Sequence, residues 1–210
     1  MSSMKKTKTI EELPIDSTIL CCNFVNTVYS WKTHNPYDFL EDYQHFIDWC
    51  HKLFVADPEY LDRLRELAKR NPADAHSVME EFRSIREKLH GFISVMAKQE
   101  MAKIPKLMSS VNPLFTEMWK NLRLDFNGAI FTPTFNIKPL HLKTPVWIII
   151  KSFYDLLTYM EITRVKECPA CGWVFYDETK NGKRKWCNPL NCGTQDKMSR
   201  YHQRLRSLND

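Results

Sequence analysis

The sequence predicts a mainly α-helical protein with a small β-hairpin, ending in a compact α+β metal module. Three observations predict it. Apolar residues recur at spacings of three and four over most of residues 39–164, the helical period. One Asn-Gly pair, at 127–128, lies between runs that alternate. Four of the seven cysteines, Cys168, Cys171, Cys187 and Cys192, fall within 25 residues near the carboxy-terminal end. The 210 residues, 43% hydrophobic and 26% charged, suffice for one core and an appendage.

Residues 1–16 are polar and read as a flexible N-terminus. Ile19 to Tyr29 is an apolar run interrupted by Asn23, Asn26 and Thr27, which predicts a short buried helix whose polar side chains need partners. Phe39, Tyr43, Phe46, Ile47 and Cys50 make one apolar stripe. Asp57-Pro58 is an N-cap followed by proline at the first helical position, opening a helix that runs to about Arg70. After Asn71-Pro72 a longer helix from Asp74 carries Val78, Phe82, Ile85, Leu89, Phe92, Ile93 and Met96 on one face. Pro105 and Pro113 punctuate the next stretch. Leu122, Leu124 and Phe126 alternate with polar residues before Asn127-Gly128, a strong hairpin signal, and Ile130-Phe131-Thr132 resumes. A last long helix, from about Thr144 to Arg164, enters the cysteine module with no linker, so the two parts should be docked. The chain divides into 1–16, a helical domain at 17–163 and a metal module at 164–208. Cys21, Cys22 and Cys50, on apolar segments, read as small buried hydrophobes.

Within the module, Cys168-Pro-Ala-Cys171-Gly172 is a knuckle in which glycine permits the turn that points both thiolates at one ion. Asn181-Gly182, between Trp173–Tyr176 and Arg184–Trp186, spells a second two-residue hairpin turn. Cys192 then opens a helix from Gly193 to about Ser207. Four cysteines in this treble-clef-like or ribbon-like arrangement favour one structural Zn2+ per chain with no open coordination position; a single iron is the lesser alternative.

Charge is unevenly spread. The net value is +5, yet residues 1–161 are balanced, and residues 162–210 hold ten lysines and arginines against five acids. A basic module attracts polyanions, nucleic acid first. Lys183, Arg184 and Lys185, with the helical stripe Lys197, Arg200 and Arg204, are the candidate phosphate contacts, the first three alternatively compensating the charge of the thiolate cage, and Trp186 and Tyr201 are core or stacking groups. The chain has 5 glycines and neither a G-x-G-x-x-G nor a G-x-x-x-x-G-K-[ST] loop, which argues against nucleotide-binding folds. No H-E-x-x-H or G-x-S-x-G occurs, and the histidines pair with no nucleophile, so no enzyme is expected. Met1 to Thr9 lacks an apolar signal core, and the run Val146–Ile150 is too short to span a bilayer; a cytoplasmic protein without membrane contact is expected.

The front motif Leu20-Cys-Cys-Asn-Phe-Val-Asn-Thr27, the helix segment Phe82-Arg-Ser-Ile-Arg-Glu87, and the finger elements Cys171-Gly-Trp-Val-Phe-Tyr-Asp177 and Arg184-Lys-Trp-Cys187 resemble one family over nearly the whole chain. These are bacterial proteins with an amino-terminal ABATE domain and a carboxy-terminal CGNR-type zinc finger. One departure stands out: Cys192-Gly193 is followed by Thr194-Gln195 where the finger's name has asparagine and arginine. Zinc ligation is untouched by it, but Lys197 replaces the missing arginine only as a point charge. The resemblance implies a stress-related transcription regulator whose finger binds nucleic acid, DNA ahead of RNA, and whose helical domain senses a small molecule. Asn23, Asn26, Thr27 and Arg86 are the polar groups expected to line such a site; burial with mutual hydrogen bonding accounts for them equally well. The alternative is a structural or protein-interaction module that caps the helical domain or forms a homodimer.

Overall fold

The computed structural model describes residues 9–135, 139–194, 196–198 and 201. The chain is mainly helical with two small antiparallel hairpins. Six helices, α1 (Leu20–Val25), α2 (Tyr43–Lys52), α3 (Pro58–Arg70), α4 (Pro72–Ala97), α5 (Ile104–Asn121) and α6 (Thr144–Tyr159), precede the cysteine module. Strands β1 (Arg123–Phe126) and β2 (Phe131–Thr134) pair with each other between α5 and α6, and β3 (Val165–Glu167) pairs with β4 (Val174–Tyr176).

Local chemistry sets the helix ends. The Asp57 side chain accepts from Tyr60 N at 3.0 Å with Pro58 at the first position, so α3 begins where its cap requires. Asp42 caps α2 in the same way, which leaves Phe39 ahead of the helix rather than at the start of its stripe. Pro113 does not break α5, because Val111 and Met118 on either side of it are buried against the neighbouring helices. In the β1–β2 turn, Asn127 Oδ1 accepts from Ala129 N and Ile130 N, and Gly128 takes φ +94°. Helix α6 stops at Tyr159, short of the expected Arg164, and a 3-10 turn at Ile162–Arg164 leads into β3.

The core is one cluster spanning the helices and the module. Helix α1 lies at its centre: Cys21, Cys22, Phe24 and Val25 are fully buried, and α4, α6 and β4 pack around them. Phe46 and Trp49 stack beside Phe24, and Phe92 meets Phe153 edge-on. Cys50 is buried too. Of the segment expected to be flexible, residues 9–16 are described, and two of them anchor it to the core. Ile10 and Leu13 are buried, and Lys52 Nζ donates to the carbonyls of Ile10, Glu11 and Leu13 at 2.7–2.9 Å.

Between α1 and α2 the chain forms an irregular clasp, with Tyr29 N on Tyr37 O and Phe39 N on Thr27 O. Its tip reaches the cysteine module. Among the described residues no helix is long and apolar enough to cross a membrane.

Candidate metal centre

The knuckle is built by β3 and β4. Cys168 N donates to Trp173 O at 2.7 Å and Gly172 N to Cys168 O at 2.9 Å, closing the turn that carries Cys168 and Cys171. Gly172 has φ +78°, and a Cβ there would lie 2.9 Å from Trp31 Cβ. The position thus excludes side chains on two grounds: the left-handed backbone and the clasp against it. The predicted Asn181-Gly182 hairpin is not the finger's ladder. Trp173–Tyr176 pairs backward with Val165–Glu167 across the knuckle. The later loop is held by the buried Asp177 carboxylate, which accepts from Thr179 N, Thr179 Oγ1 and Arg184 N. Burial alone would raise the Asp177 pKa; the bonds from Thr179 and Arg184, with Lys166 nearby, outweigh it and hold the group below the usual carboxylate value.

The second pair of cysteines is set by Asn188. Its Oδ1 accepts from Leu190 N and Asn191 N, capping the single turn Pro189–Gly193 that returns Cys192 to Cys187. The four sulfurs lie within 4.8 Å of one another. Cys171 to Cys187 and Cys187 to Cys192 are each 3.6 Å, too long for a disulfide. Four thiolates at about 2.3 Å from a tetrahedral ion would be separated by about 3.8 Å, so the spacing fits such an ion closely. The protein alone cannot ionise all four. Hydrogen bonds from Cys171 and Cys187 hold the Cys168 thiol far down, and the Cys171 and Cys187 pKa values are pushed up by the same contacts with Cys168. Burial raises Cys192. A divalent cation at the centre removes the conflict, because every thiolate then faces a positive charge.

The knuckle is joined to the helical domain on several sides. Trp31 N and Ser30 Oγ donate to Cys171 O, Trp173 Nε1 donates to Val28 O at 2.7 Å, and Lys32 Nζ reaches Pro169 O. His90 stacks on Trp31 with centroids 4.0 Å apart and donates from Nε2 to Gly172 O at 3.0 Å. Burial lowers the His90 pKa, so the neutral form is the one accommodated. Glu167 accepts from Ser94 and pairs with Lys98 at 3.1 Å. The docking expected from the missing linker is therefore present.

The polar residues expected to line a ligand site are engaged inside the fold. Asn23 Nδ2 and Oδ1 bond the carbonyl and N–H of Ser17, and Asn26 does the same to Val174 at 2.9 and 3.0 Å. Each primary amide thus substitutes for one peptide unit. Thr27 donates to Phe24 O and accepts from Arg86 Nη1, whose guanidinium also forks onto Asp38. The structure brings Thr27 and Arg86 together inside the fold, where Arg86 Nε is buried and has no hydrogen-bond partner among the described residues.

Of the basic residues, Lys183, Lys185 and Lys197 are exposed. Arg184 is not a free phosphate contact: it donates to the carbonyls of Trp186, Asp16 and Cys187 and lies 4.5 Å over the Phe175 ring. Its planar fork is used to fix the loop bearing Cys187. Trp186 packs against Gly193, and Tyr201 is exposed. Arg200 and Arg204 lie outside the described residues. A cleft of about 630 Å³ opens where the end of α4 meets the finger, and its walls carry Lys32, Lys98, Lys166, Lys183, Arg184 and Lys185 against the single acid Glu167. Lys32, Lys98 and Lys166 carry no sequence signal marking them for this face, because two of them come from distant parts of the helical domain.

Two family models match the chain. One, described as "Putative stress-induced transcription regulator", covers residues 19–159, and a CGNR zinc finger covers residues 164–205. Among curated proteins no relative matches. With a match across most of its helical part and a four-cysteine finger in the expected order, the chain belongs to the ABATE family and ends in a CGNR zinc finger.

Proposed function

We propose that this protein is a zinc-dependent, cytoplasmic transcription regulator that binds DNA through its finger and the adjoining end of the helical domain. The observation that carries the reading is the cleft of six cations and one acid at the junction of the two parts. Lys183 and Lys185 are exposed, Lys185 with its ammonium 5.1 Å over the Trp186 ring, and Lys166 lies near the buried Asp177, so the charge most open to phosphates is that of Lys183 and Lys185. Cys168, Cys171, Cys187 and Cys192 would hold one Zn2+. Four thiolate ligands leave no position for a reactive water, so the ion's part is to fold the finger. The helical domain at 17–163 then serves as the platform that fixes the finger at 164–208, and the charges of Lys197, Arg200 and Arg204 would add phosphate contacts.

Binding of the zinc-loaded chain to duplex DNA and to single-stranded RNA across a salt series tests this. Contact with ~4 to 6 phosphates gives a log-log slope of roughly −4 to −5 on duplex DNA. Lys183→Glu with Lys185→Glu should weaken binding and leave zinc content unchanged. Absence of binding at low salt with full zinc loading refutes the reading. It would favour the finger as a structural cap, the role for which the Asn26, Trp173 and His90 contacts already suffice.

A further inference from the structure

The geometry points to a binding site for a small amphipathic organic cation, an amine on an apolar body, in a second cavity where the N-terminal segment, the clasp and the finger meet. This goes beyond the DNA-binding reading and does not depend on it. The cavity is about 600 Å³, the size of a small-molecule site, and it lies at a junction of domains where such sites concentrate. Tyr29, Phe39 and Trp173 supply aromatic walls. The carboxylates of Glu12 and Asp16 line it together with Cys171, Cys187 and Cys192 of the metal centre, whose four thiolates around one divalent ion keep a net negative charge, and its described lining residues include no lysine, arginine or histidine.

That sign is the opposite of the surrounding finger, whose excess charge is positive. Both carboxylates retain acceptor capacity. Glu12 takes one bond from Thr9 N at 3.3 Å, and Asp16 takes one from Asn188 Nδ2 at 3.3 Å. Each ionised carboxylate can accept about four. Arg184 reaches only the main-chain oxygen of Asp16. An ammonium would find two acceptors, with π faces around its apolar part that attract cations as well as cover hydrocarbon. The neutral or anionic analogue of the same shape would leave the carboxylates unpaired or repelled.

The test uses the full metal-loaded chain without nucleic acid and three probes of one shape: phenethylamine, 2-phenylethanol and phenylacetate. Amide and indole NMR shifts are followed at Trp173 and at the Asn188 side chain. Phenethylamine should saturate with a Kd on the order of millimolar, as expected of so small a ligand. The alcohol should bind at least tenfold more weakly and the acid not at all. Glu12→Gln, at the exposed rim, should weaken the amine several-fold and leave the alcohol unchanged. Ala170→Trp, which fills the cavity from the knuckle, should abolish binding while zinc content is retained. No saturation by phenethylamine, equal affinity for amine and alcohol, or indifference to Glu12→Gln would each overturn the proposal. None of these outcomes bears on the DNA experiment.

Discussion

Asn26 is the point at which the helical domain holds the finger most economically, and Asn26→Ala tests that. The residue is 3% exposed, and Val174, its partner 148 positions along the chain, is fully buried. In the wild type Nδ2 donates to Val174 O at 2.9 Å and Oδ1 accepts from Val174 N at 3.0 Å. Those Val174 groups are the ones that β4 does not spend on β3. Alanine removes both partners and leaves a buried N–H and a buried carbonyl, each costing about 1–3 kcal/mol. The expected loss is therefore about 2–6 kcal/mol. Urea unfolding at constant free zinc should show a lower midpoint with an unchanged slope. The Val174 amide should exchange faster than in the wild type, which locates the damage. Asn26→Asp should cost at least as much, because a carboxylate meets the Val174 carbonyl. A loss under about 0.5 kcal/mol would refute the reasoning, since it would mean that water or relaxation satisfies β4 without Asn26.

Gly172→Ala should lower stability by about 1–2 kcal/mol from the left-handed backbone alone, and by more if Trp31 cannot move; a thermal melt with zinc bound checks it. Cys187→Ser, or removal of metal by a chelator, should unfold the finger while the far-UV helical signal of α2 to α5 largely persists, and metal analysis should show one ion lost per chain. Lowering the pH should destabilise the docked knuckle. The His90 pKa is held below its unfolded value near 6.5, so the unfolded chain binds the extra proton first. Stability contributed by neutral His90 is complete above about pH 6.5 and is lost as the pH falls toward the folded pKa. His90→Gln should flatten the pH dependence of the midpoint between about pH 7 and 5, and an unchanged slope would exclude His90 as its source.

The features legible in the sequence depend on residues a few positions apart. The Asp57-Pro58 cap, the Asn127-Gly128 turn, the Cys168-x-x-Cys171-Gly172 knuckle and the clustering of four cysteines are short-range patterns, and a cap, a turn or a pair of ligands is completed within one turn of chain. The second Asn-Gly misleads for an instructive reason. A turn signal at 181–182 names a bend, but β4 pairs with whichever strand lies beside it, and that strand is β3. Arg184 reads in the sequence as a phosphate contact or as charge compensating the thiolates, whereas in the fold the carbonyls of the neighbouring Trp186 and Cys187 and of the distant Asp16 converge on its guanidinium. Asn23, Asn26, Thr27 and Arg86 stand out as polar residues in apolar surroundings, yet whether they serve a ligand or the fold depends on Ser17, Val174 and Asp38 arriving within 3.2 Å. The sequence by itself determined the helical class, the clustering of four cysteines and the place of the excess charge, because periodicity, spacing and composition are properties of neighbours. Only the tertiary structure decided which cations share a cleft and which carboxylates share a cavity, because those groups are brought together by the burial of helix α1 and the docking of the clasp on the knuckle, and neither contact has a counterpart in local sequence.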